Sequence, residues 1–402
     1  MKDFSEGLNP SSIGRENVEM ILRLIQRKDG ISRTDIAKLS GLSKTAVSSS
    51  VDRLLEEKLI RENKHKHYSK VGRKPRLLTV NPDGKHFISI DIGGTTVTYG
   101  LGNLGGELKG TKTVSTPDNW KVLHEHIIEI VRNCKSWARR SYQKVEGLSI
   151  AVPGVVNEDG TVNYAPNIEG LDQVKLGEEL GKELEMPIFL ENDVNASALG
   201  EYRERKSSSS ELVFIAIGTG VGAGIIIDGE LFKGSTNHAG EVGWFVSETS
   251  HMGEEEDGQK GWLESRISGP DVVRRTQEKL RDVHGDPLID EDLNLDPKTI
   301  LGNNLKSPVA REVTEDWVNV VSMLVSNITA IIDPELVILG GGVSKTGCKH
   351  LDDIRDRVEK NTQRTPRVDR SKLGDKAPLY GGLAVCRQNI SKFLWENPVQ
   401  TR

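Results

Sequence analysis

The sequence predicts an α/β protein in which a small N-terminal winged helix-turn-helix precedes a body of two α/β lobes. Three observations lead there. Residues 18–55 place apolar side chains at helical spacing with capping residues between the runs; from residue 86 onward apolar strands alternate with helical segments; and three of those strands end in glycine turns. At 402 residues, 36% hydrophobic and 28% charged, the chain is long enough for two or three domains and has the composition of a soluble globular protein. Its formal net charge of -5 gives no general attraction to nucleic acid, so any DNA contact must come from a local basic patch. No apolar run reaches membrane-spanning length and no basic-then-apolar leader opens the chain, so the cytoplasm is the expected location. Cys134, Cys348 and Cys386 are odd in number and far apart, which argues against a disulfide framework and a cysteine metal site.

In the head, Val18, Ile21, Leu22 and Ile25 form one helical stripe. Ser32-Arg-Thr-Asp35 is a capping box that opens a second helix through Ile36, Ala37 and Leu39, and Gly41 ends it. Ser43 caps a third helix whose Ala46, Val47, Val51, Leu54 and Leu55 share one face. Ser50 stands where an apolar residue is usual, so packing is expected to pass to Val51. Ala37 is small where two helices cross, and Gly41 permits the tight turn between them. Near the start of the third helix, Lys44, Thr45, Ser48 and Ser49 are short or cationic groups suited to a major groove. A three-helix bundle without a nucleic-acid role would share much of this pattern.

The next segment favours DNA. Strands begin at Leu59-Ile60 and at Leu77-Leu78-Thr79-Val80, and between them Lys64, His65, Lys66, His67, Lys70, Arg73, Lys74 and Arg76 crowd a loop shaped as a wing. Gly72-Arg-Lys-Pro75 can extend Arg73 into a narrow minor groove while Lys74 and its neighbours meet phosphates. Asn81-Pro82-Asp83-Gly84 then turns the chain into the body.

In the body, Ile88-Ser-Ile-Asp-Ile92 is a buried strand running through Asp91 into the Gly93-Gly94 turn. Backbone N–H groups there, with the hydroxyls of Thr95 and Thr96, suit an anionic oxygen, and Asp91 can hold a metal or a water beside it. A partner strand through Val97 to Leu101, a helix from Trp120 to about Ala138 and a strand at Leu148 to Val152 continue the first lobe. A further strand, Ile188-Phe-Leu190, delivers Glu191-Asn192-Asp193 to the edge where open α/β sheets hold ligands, and a helix follows through Tyr202. Asp193 can accept a proton from a hydroxyl, hydrogen-bond a sugar, or simply cap that helix. After Lys206 and four serines the second lobe opens with Leu212–Ile217 and the turn Gly218-Thr219-Gly220; a third strand ends in Gly340-Gly341-Gly342. Two such turns from different lobes can clamp a polyphosphate.

With these motifs the chain resembles the ROK family of repressors and sugar kinases, in its form with an N-terminal winged helix. The resemblance covers nearly the whole chain. It rests on the helix-turn-helix with its Gly-Arg-Lys-Pro wing, on Asp91-Ile-Gly-Gly-Thr95, Glu191-Asn-Asp193, Gly218-Thr-Gly220, Ala239-Gly-Glu-Val-Gly243 and Leu339-Gly-Gly-Gly342. It implies an actin-like, ribonuclease-H-like body with a sugar in the interlobe cleft, contacted by Asn167, Asn192, Asp193, Glu241 and Glu264. In kinase members the aspartate at position 193 is the catalytic base. Asp91, Gly93, Gly94, Thr95, Gly218, Thr219, Gly220, Gly341 and Gly342 would then serve ATP.

The chain departs from the family at its zinc site. The histidine that ligates zinc and touches the sugar is replaced by Trp244, and the three cysteines align with Glu255, Asp257 and Trp262. No sulfur or imidazole ligand remains, so zinc is expected to be absent. Trp244 either stacks on a sugar face or serves as a core tryptophan. Three function classes follow: a sugar-responsive repressor with operator DNA and a small sugar as partners and no required cofactor, an ATP- and magnesium-dependent sugar kinase carrying a DNA-binding head, and a head that mediates protein contact. The expected boundaries are a head over 1–82, a first lobe over 83–205 rejoined by a C-terminal helix over 380–395, and a second lobe over 206–402. A single winged head reads few base pairs, so a dimer or tetramer is expected, with no membrane partner.

Overall fold

A computed structural model describes residues 10–390, apart from 29, 65–75, 141–143, 166–167, 206–208, 248–259, 282, 284–294 and 303–306. In the head, α1 (Pro10–Arg27), β1 (Ile31–Ser32), α2 (Arg33–Ser40), α3 (Lys44–Glu56), β2 (Ile60–Lys64) and β3 (Arg76–Val80) follow in order, with a sheet ordered β1-β3-β2. The local signals act as read. Ser32 Oγ accepts from the Asp35 N–H at 3.2 Å and donates to its carboxylate at 2.6 Å, Gly41 closes α2 at φ 71°, and Ser43 Oγ accepts from the Ala46 N–H at 3.1 Å. Val47, Val51 and Leu54 are fully buried, and Ser50 is tucked beside them. Each buried aliphatic side chain of this kind contributes roughly 1.5–3 kcal/mol. The wing tip, with Arg73 and Lys74, lies outside the described residues.

The first lobe comprises β4 (His86–Ile92), β5 (Thr96–Asn103), β6 (Leu108–Ser115), α4 (Trp120–Arg140), β7 (Val145–Val152), β8 (Val155–Val156), β9 (Val162–Asn163), α5 (Leu176–Leu184), β10 (Ile188–Asn192) and α6 (Asp193–Glu204). Its main sheet is ordered β10-β7-β4-β5-β6, with β10, β7 and β4 parallel. Strand alternation assigns the faces. Ile88, Ile90 and Ile92 share a core with Leu123, Ile127 and Val131 of α4 and Leu180 of α5, while Phe87 and Ser89 point the other way.

The second lobe comprises β11 (Leu212–Ile217), β12 (Val221–Ile227), β13 (Glu230–Phe232), α7 (Glu264–Ile267), α8 (Gly269–Arg281), α9 (Pro297–Leu301), α10 (Pro308–Ile332), β14 (Leu336–Gly340), α11 (Ser344–Gly347), α12 (Leu351–Asn361) and β15 (Arg367–Arg370), and α13 (Ala377–Gln388) follows. Its sheet runs β13-β12-β11-β14-β15. Val213, Ile215 and Ile217 pack with Trp317 and Val321 of α10, and Leu212 and Phe214 face the opposite side. Both faces are covered, which is why these strands read as near-continuous apolar runs. No described helix is long and apolar enough to cross a membrane.

Between the two sheets lie α6 and α13. Their backbones cross at glycines: a Cβ on Gly381 would stand 1.7 Å from Ala196 O, and one on Gly200 would stand 2.4 Å from Ala377 O. Ser89 Oγ donates to Leu379 O at 2.9 Å and pins α13 to the first sheet. The helix expected over 380–395 is described as Ala377–Gln388, and residues beyond 390 lie outside the described set. One continuous apolar cluster joins the head (Ile21, Ile25, Leu59) through Phe87 and Leu104 to Leu383, Cys386 and Ile390. Gln26 Nε2 donates to Arg387 O at 3.1 Å at the same junction.

Because overlap at Gly381 is with backbone and no rotamer relieves it, Gly381→Ala should destabilise the protein by about 3 kcal/mol, the upper end for overpacking. Urea denaturation at fixed protein concentration checks this; a loss below about 0.5 kcal/mol, the size of an ordinary surface change, would show that the crossing tolerates a methyl group.

Candidate functional site

The cleft is assembled from strand ends. Asp91 on β4 and Asp193 just beyond β10 sit at the same edge of the first sheet, because β4, β7 and β10 are parallel. Asn192 is the N-cap of α6: its Oδ1 accepts from the N–H groups of Val194 and Asn195, both at 3.0 Å, and its Nδ2 donates to Gly154 O at 2.9 Å. Both ends of that amide are therefore engaged in holding the cleft wall. Asp193 opens α6, and its carboxylate accepts from the Val194 N–H at 2.9 Å. Burial pushes the Asp193 carboxyl up to about 6, with nearby Glu241 adding to the rise. Asp91 is raised well above the usual carboxylate range by burial, then by Asp193 and Asp375.

The second lobe supplies the facing wall. Gly341 holds φ 86° where a Cβ would meet Ile217 O at 2.4 Å, and the Val343 N–H donates to that same carbonyl at 3.0 Å, so the second and third glycine turns lie side by side. A Cβ on Gly342 would meet nothing, and one on Gly218 would only reach the Gly342 nitrogen at 4.0 Å, which leaves a shallow backbone cradle. Thr219 is exposed beside it, and across the cleft Gly94 and Thr95 are exposed on the first turn with Gly93 half-buried. Such a cradle fits a polyphosphate. Lys345, just past the third turn, contacts Asp375.

Gly240 sets the loop that carries Glu241: a Cβ there would lie 1.8 Å from Ala223 O, and the Ala223 N–H donates to Gly240 O at 2.7 Å. Glu264, the first residue of α7, accepts from the Val221 N–H at 2.9 Å. Burial raises both carboxyls, and Glu264 adds to the rise at Glu241. Asp91, Asp193, Glu241 and Glu264 thus form a run of carboxyls across the cleft, rich in acceptors for hydroxyl groups. Asn167 lies outside the described residues. At the lobe junction Gly154, Asn192, Asn195, Asn237 and Glu241 enclose about 20 Å³, room for a water.

Several contacts across the cleft had no sequence signal. Lys233 pairs with buried Glu191 at 2.6 Å, and Tyr164, held at φ 56°, packs edge to face on His238 with ring centroids 5.5 Å apart. Trp244 is 55% exposed, which removes its reading as a core tryptophan. Of the family's zinc positions, Trp244 and Trp262 present indoles, which do not ligate zinc, while Glu255 and Asp257 lie outside the described residues. A zinc site of sulfur and imidazole does not fit this donor set.

On the head, Lys44, Thr45 and Ser49 are exposed at the start of α3. Ser48 Oγ accepts from Arg33 Nη1 at 2.9 Å, and Arg33 also pairs with Asp52 at 2.9 Å and Glu62 at 3.0 Å. Arg76 meets the same Glu62 at 2.8 Å and lowers its carboxyl, so both wing strands are tied to the recognition helix.

Comparison with known proteins identifies the body: residues 87–389 match the ROK family. The chain belongs to the ROK family. Residues 15–61 also match a winged helix-turn-helix DNA-binding family. The ROK chain is 30% identical over 400 residues to a putative xylose repressor of Caldicellulosiruptor sp. (strain Rt8B.4), covering 96% of this chain and 98% of that one. A solved ROK transcriptional regulator, a homologue of the E. coli MLC protein, shares its fold with TM-score 0.81 at 22% identity, over 95% of this chain and 98% of that one. A ROK glucokinase from Streptomyces griseus, solved with glucose and AMPPNP, matches with TM-score 0.62 at 26% identity, over 75% of this chain and 99% of its own.

A carboxyl that titrates at about 6 fixes a pH response. A hydroxyl ligand that needs the Asp193 carboxylate competes with a proton below that value, so affinity should be flat above about pH 7 and fall by up to about tenfold per unit below about pH 6. Calorimetric titration across this range should show that decline, and Asp193→Asn should bind weakly with a flat profile; a steep profile surviving in Asp193→Asn would assign it to another group.

Proposed function

We propose that this chain is a sugar-responsive DNA-binding repressor of carbohydrate-utilisation genes, acting in the cytoplasm with a sugar bound in its interlobe cleft. The observation that carries the reading is the union in one chain of a winged head, with Lys44, Thr45 and Ser49 free at the start of α3, and a ROK body whose carboxyl-lined cleft suits hydroxyls. A named repressor matched over 96% of the chain supports it, and makes xylose the first sugar to try. In this reading the head spans 1–82, the first lobe spans 83–205 and is rejoined by the C-terminal helix over 380–395, and the second lobe spans 206–402. Asp193, Glu241 and Glu264 accept the sugar's hydroxyls, Asn167 adds a contact, and exposed Trp244 offers a flat apolar face to the ring. Asn192 acts through the cap that fixes Asp193. Lys44, Thr45, Ser48, Ser49, Arg73 and Lys74 form the DNA face.

The sugar-kinase reading has a specific observation in its favour, since Asp193 and the three glycine turns are all retained. Were ATP and magnesium to bind, the backbone at Gly93, Gly94, Gly218, Thr219, Gly220, Gly341 and Gly342 would hold the phosphates, with Asp91 toward the cation; they would supply a transferable phosphoryl group. Transfer demands closer positioning than binding, and a misplacement of about 1 Å costs on the order of a hundredfold. With Trp244 in place of a zinc-bound histidine, Glu241 and Glu264 lose that external support, so sensing is favoured over turnover.

Two heads on a near-palindromic site give useful specificity, so the working form is at least a homodimer. Electrophoretic shift and footprinting should show two protected half-sites, binding that weakens steeply with salt, and a change of operator affinity on adding the sugar. A single half-site protected by a monomer would contradict the dimer, and a coupled assay giving more than about 1 s⁻¹ on any sugar would establish the kinase instead.

A further inference from the structure

A groove of about 930 Å³ opens between the head and the body, away from the sugar-facing carboxyls. One wall is α1, with Arg23, Gln26 and Arg27; the other is the C-terminal end of α6, with Tyr202 and Arg203, and the turn between β12 and β13. Arg203 stands out. Its Nε is buried with no hydrogen-bond partner, and no carboxylate lies within ion-pair distance of its guanidinium among the described residues. Its guanidinium carbon lies 6.0 Å from the centroid of the Tyr202 ring; burial lowers its pKa, Tyr202 and Glu230 act to raise it, and Arg27 lowers it. Arg23 likewise pairs with no carboxylate among the described residues, while Arg27 meets Glu230 at 3.3 Å with both side chains mostly exposed, a contact that an incoming anion can displace at little cost.

Three guanidinium groups from two bodies line one groove, where Asp228 and Glu230 offset part of their charge, and the buried Nε of Arg203 stays without a hydrogen bond, which costs free energy. We propose that the groove is a second effector site, which takes a small metabolite bearing a phosphate or several carboxylates and holds it between Arg23 and Arg27 of the head and Arg203 of the body. The guanidinium fork matches the oxygens of either anion. The far end of the groove carries Glu158, Asp159 and Glu178, acceptors for hydroxyls on the rest of the ligand.

The site is placed to act on DNA binding. Helix α6 begins at Asp193 in the sugar cleft and carries Arg203 at its other end, and Asn237 lines both cavities. A ligand gripping α1 and α6 together ties the head to the body and changes operator affinity, with a reciprocal effect on its own binding.

Calorimetric titration of the full chain with inorganic phosphate, and separately with citrate, at constant ionic strength tests this. The expected result is one saturable site per chain for at least one probe, weakened at least tenfold in Arg203→Gln. Phosphate alone points to a phosphorylated metabolite, citrate alone to a polycarboxylate. Should Arg203→Gln fail to fold by circular dichroism, Arg23→Gln on the exposed surface of α1 carries the test with the same tenfold expectation. Failure of both probes to saturate, unchanged affinity in the folded arginine variant, or loss of the site in Asp193→Asn would overturn the proposal.

Discussion

Where α6 crosses α13, Gly200 and Gly381 let two helix backbones approach to a separation that leaves no room for a methyl group. Both sheets are stacked on that pair, so the spacing of the lobes is set by backbone rather than by adjustable side chains. The same crossing fixes what α6 can present. Its first turn carries Asp193 into the cleft, and its last turn is clamped to the second lobe by a buried network: Glu201 accepts from Arg205 Nε at 3.0 Å, Ser371 Oγ at 2.6 Å and the Leu373 N–H at 2.8 Å, and Arg205 reaches on to Asp369 at 2.9 Å. A buried charge so fully satisfied is tolerated, whereas removal of one partner typically costs about 3–5 kcal/mol.

The cleft concentrates like charge. Asp91, Asp193, Glu241 and Glu264 raise one another or are raised by burial, so the site accepts hydroxyl protons readily and resists a bare anion. A neutral polyol therefore suits it better than an unaccompanied phosphate. The arginines of the head–body groove have the opposite character, and α6 runs from one site toward the other while Asn237 lines both.

Legibility in the sequence followed the range of the interaction. Capping by Ser32 and Ser43, the αL glycine at 41, the burial of Val51 beside Ser50 and the apolar strands were readable because each depends on residues a few positions apart. The glycine turns were readable as a series, three strand ends repeating one device. Asn192 was readable as a site residue but not as a doubly engaged cap, because its partner Gly154 is 38 positions away. Lys233 with Glu191, Tyr164 with His238, Asp375 beside Asp91, and Arg203 facing the head left no trace in the sequence, since each exists only once separate elements are packed together. Exposure of Trp244 was undecidable for the same reason, as an indole is equally at home in a core or on a rim.

The apolar cluster that runs from Ile21 and Leu59 through Phe87 and Leu104 to Cys386 and Ile390 has a bearing on how such a chain can evolve. A head attached by a polar tether can be gained or dropped by recombination in one step. Here the excision would strip the cover from a greasy floor on the body, and the freed module would carry the matching half into water. Headed and headless lineages of this architecture must therefore differ at positions beyond the cut itself, and the residues equivalent to Phe87, Leu104 and Ile390 are where a lineage's history of losing or acquiring its head would be written.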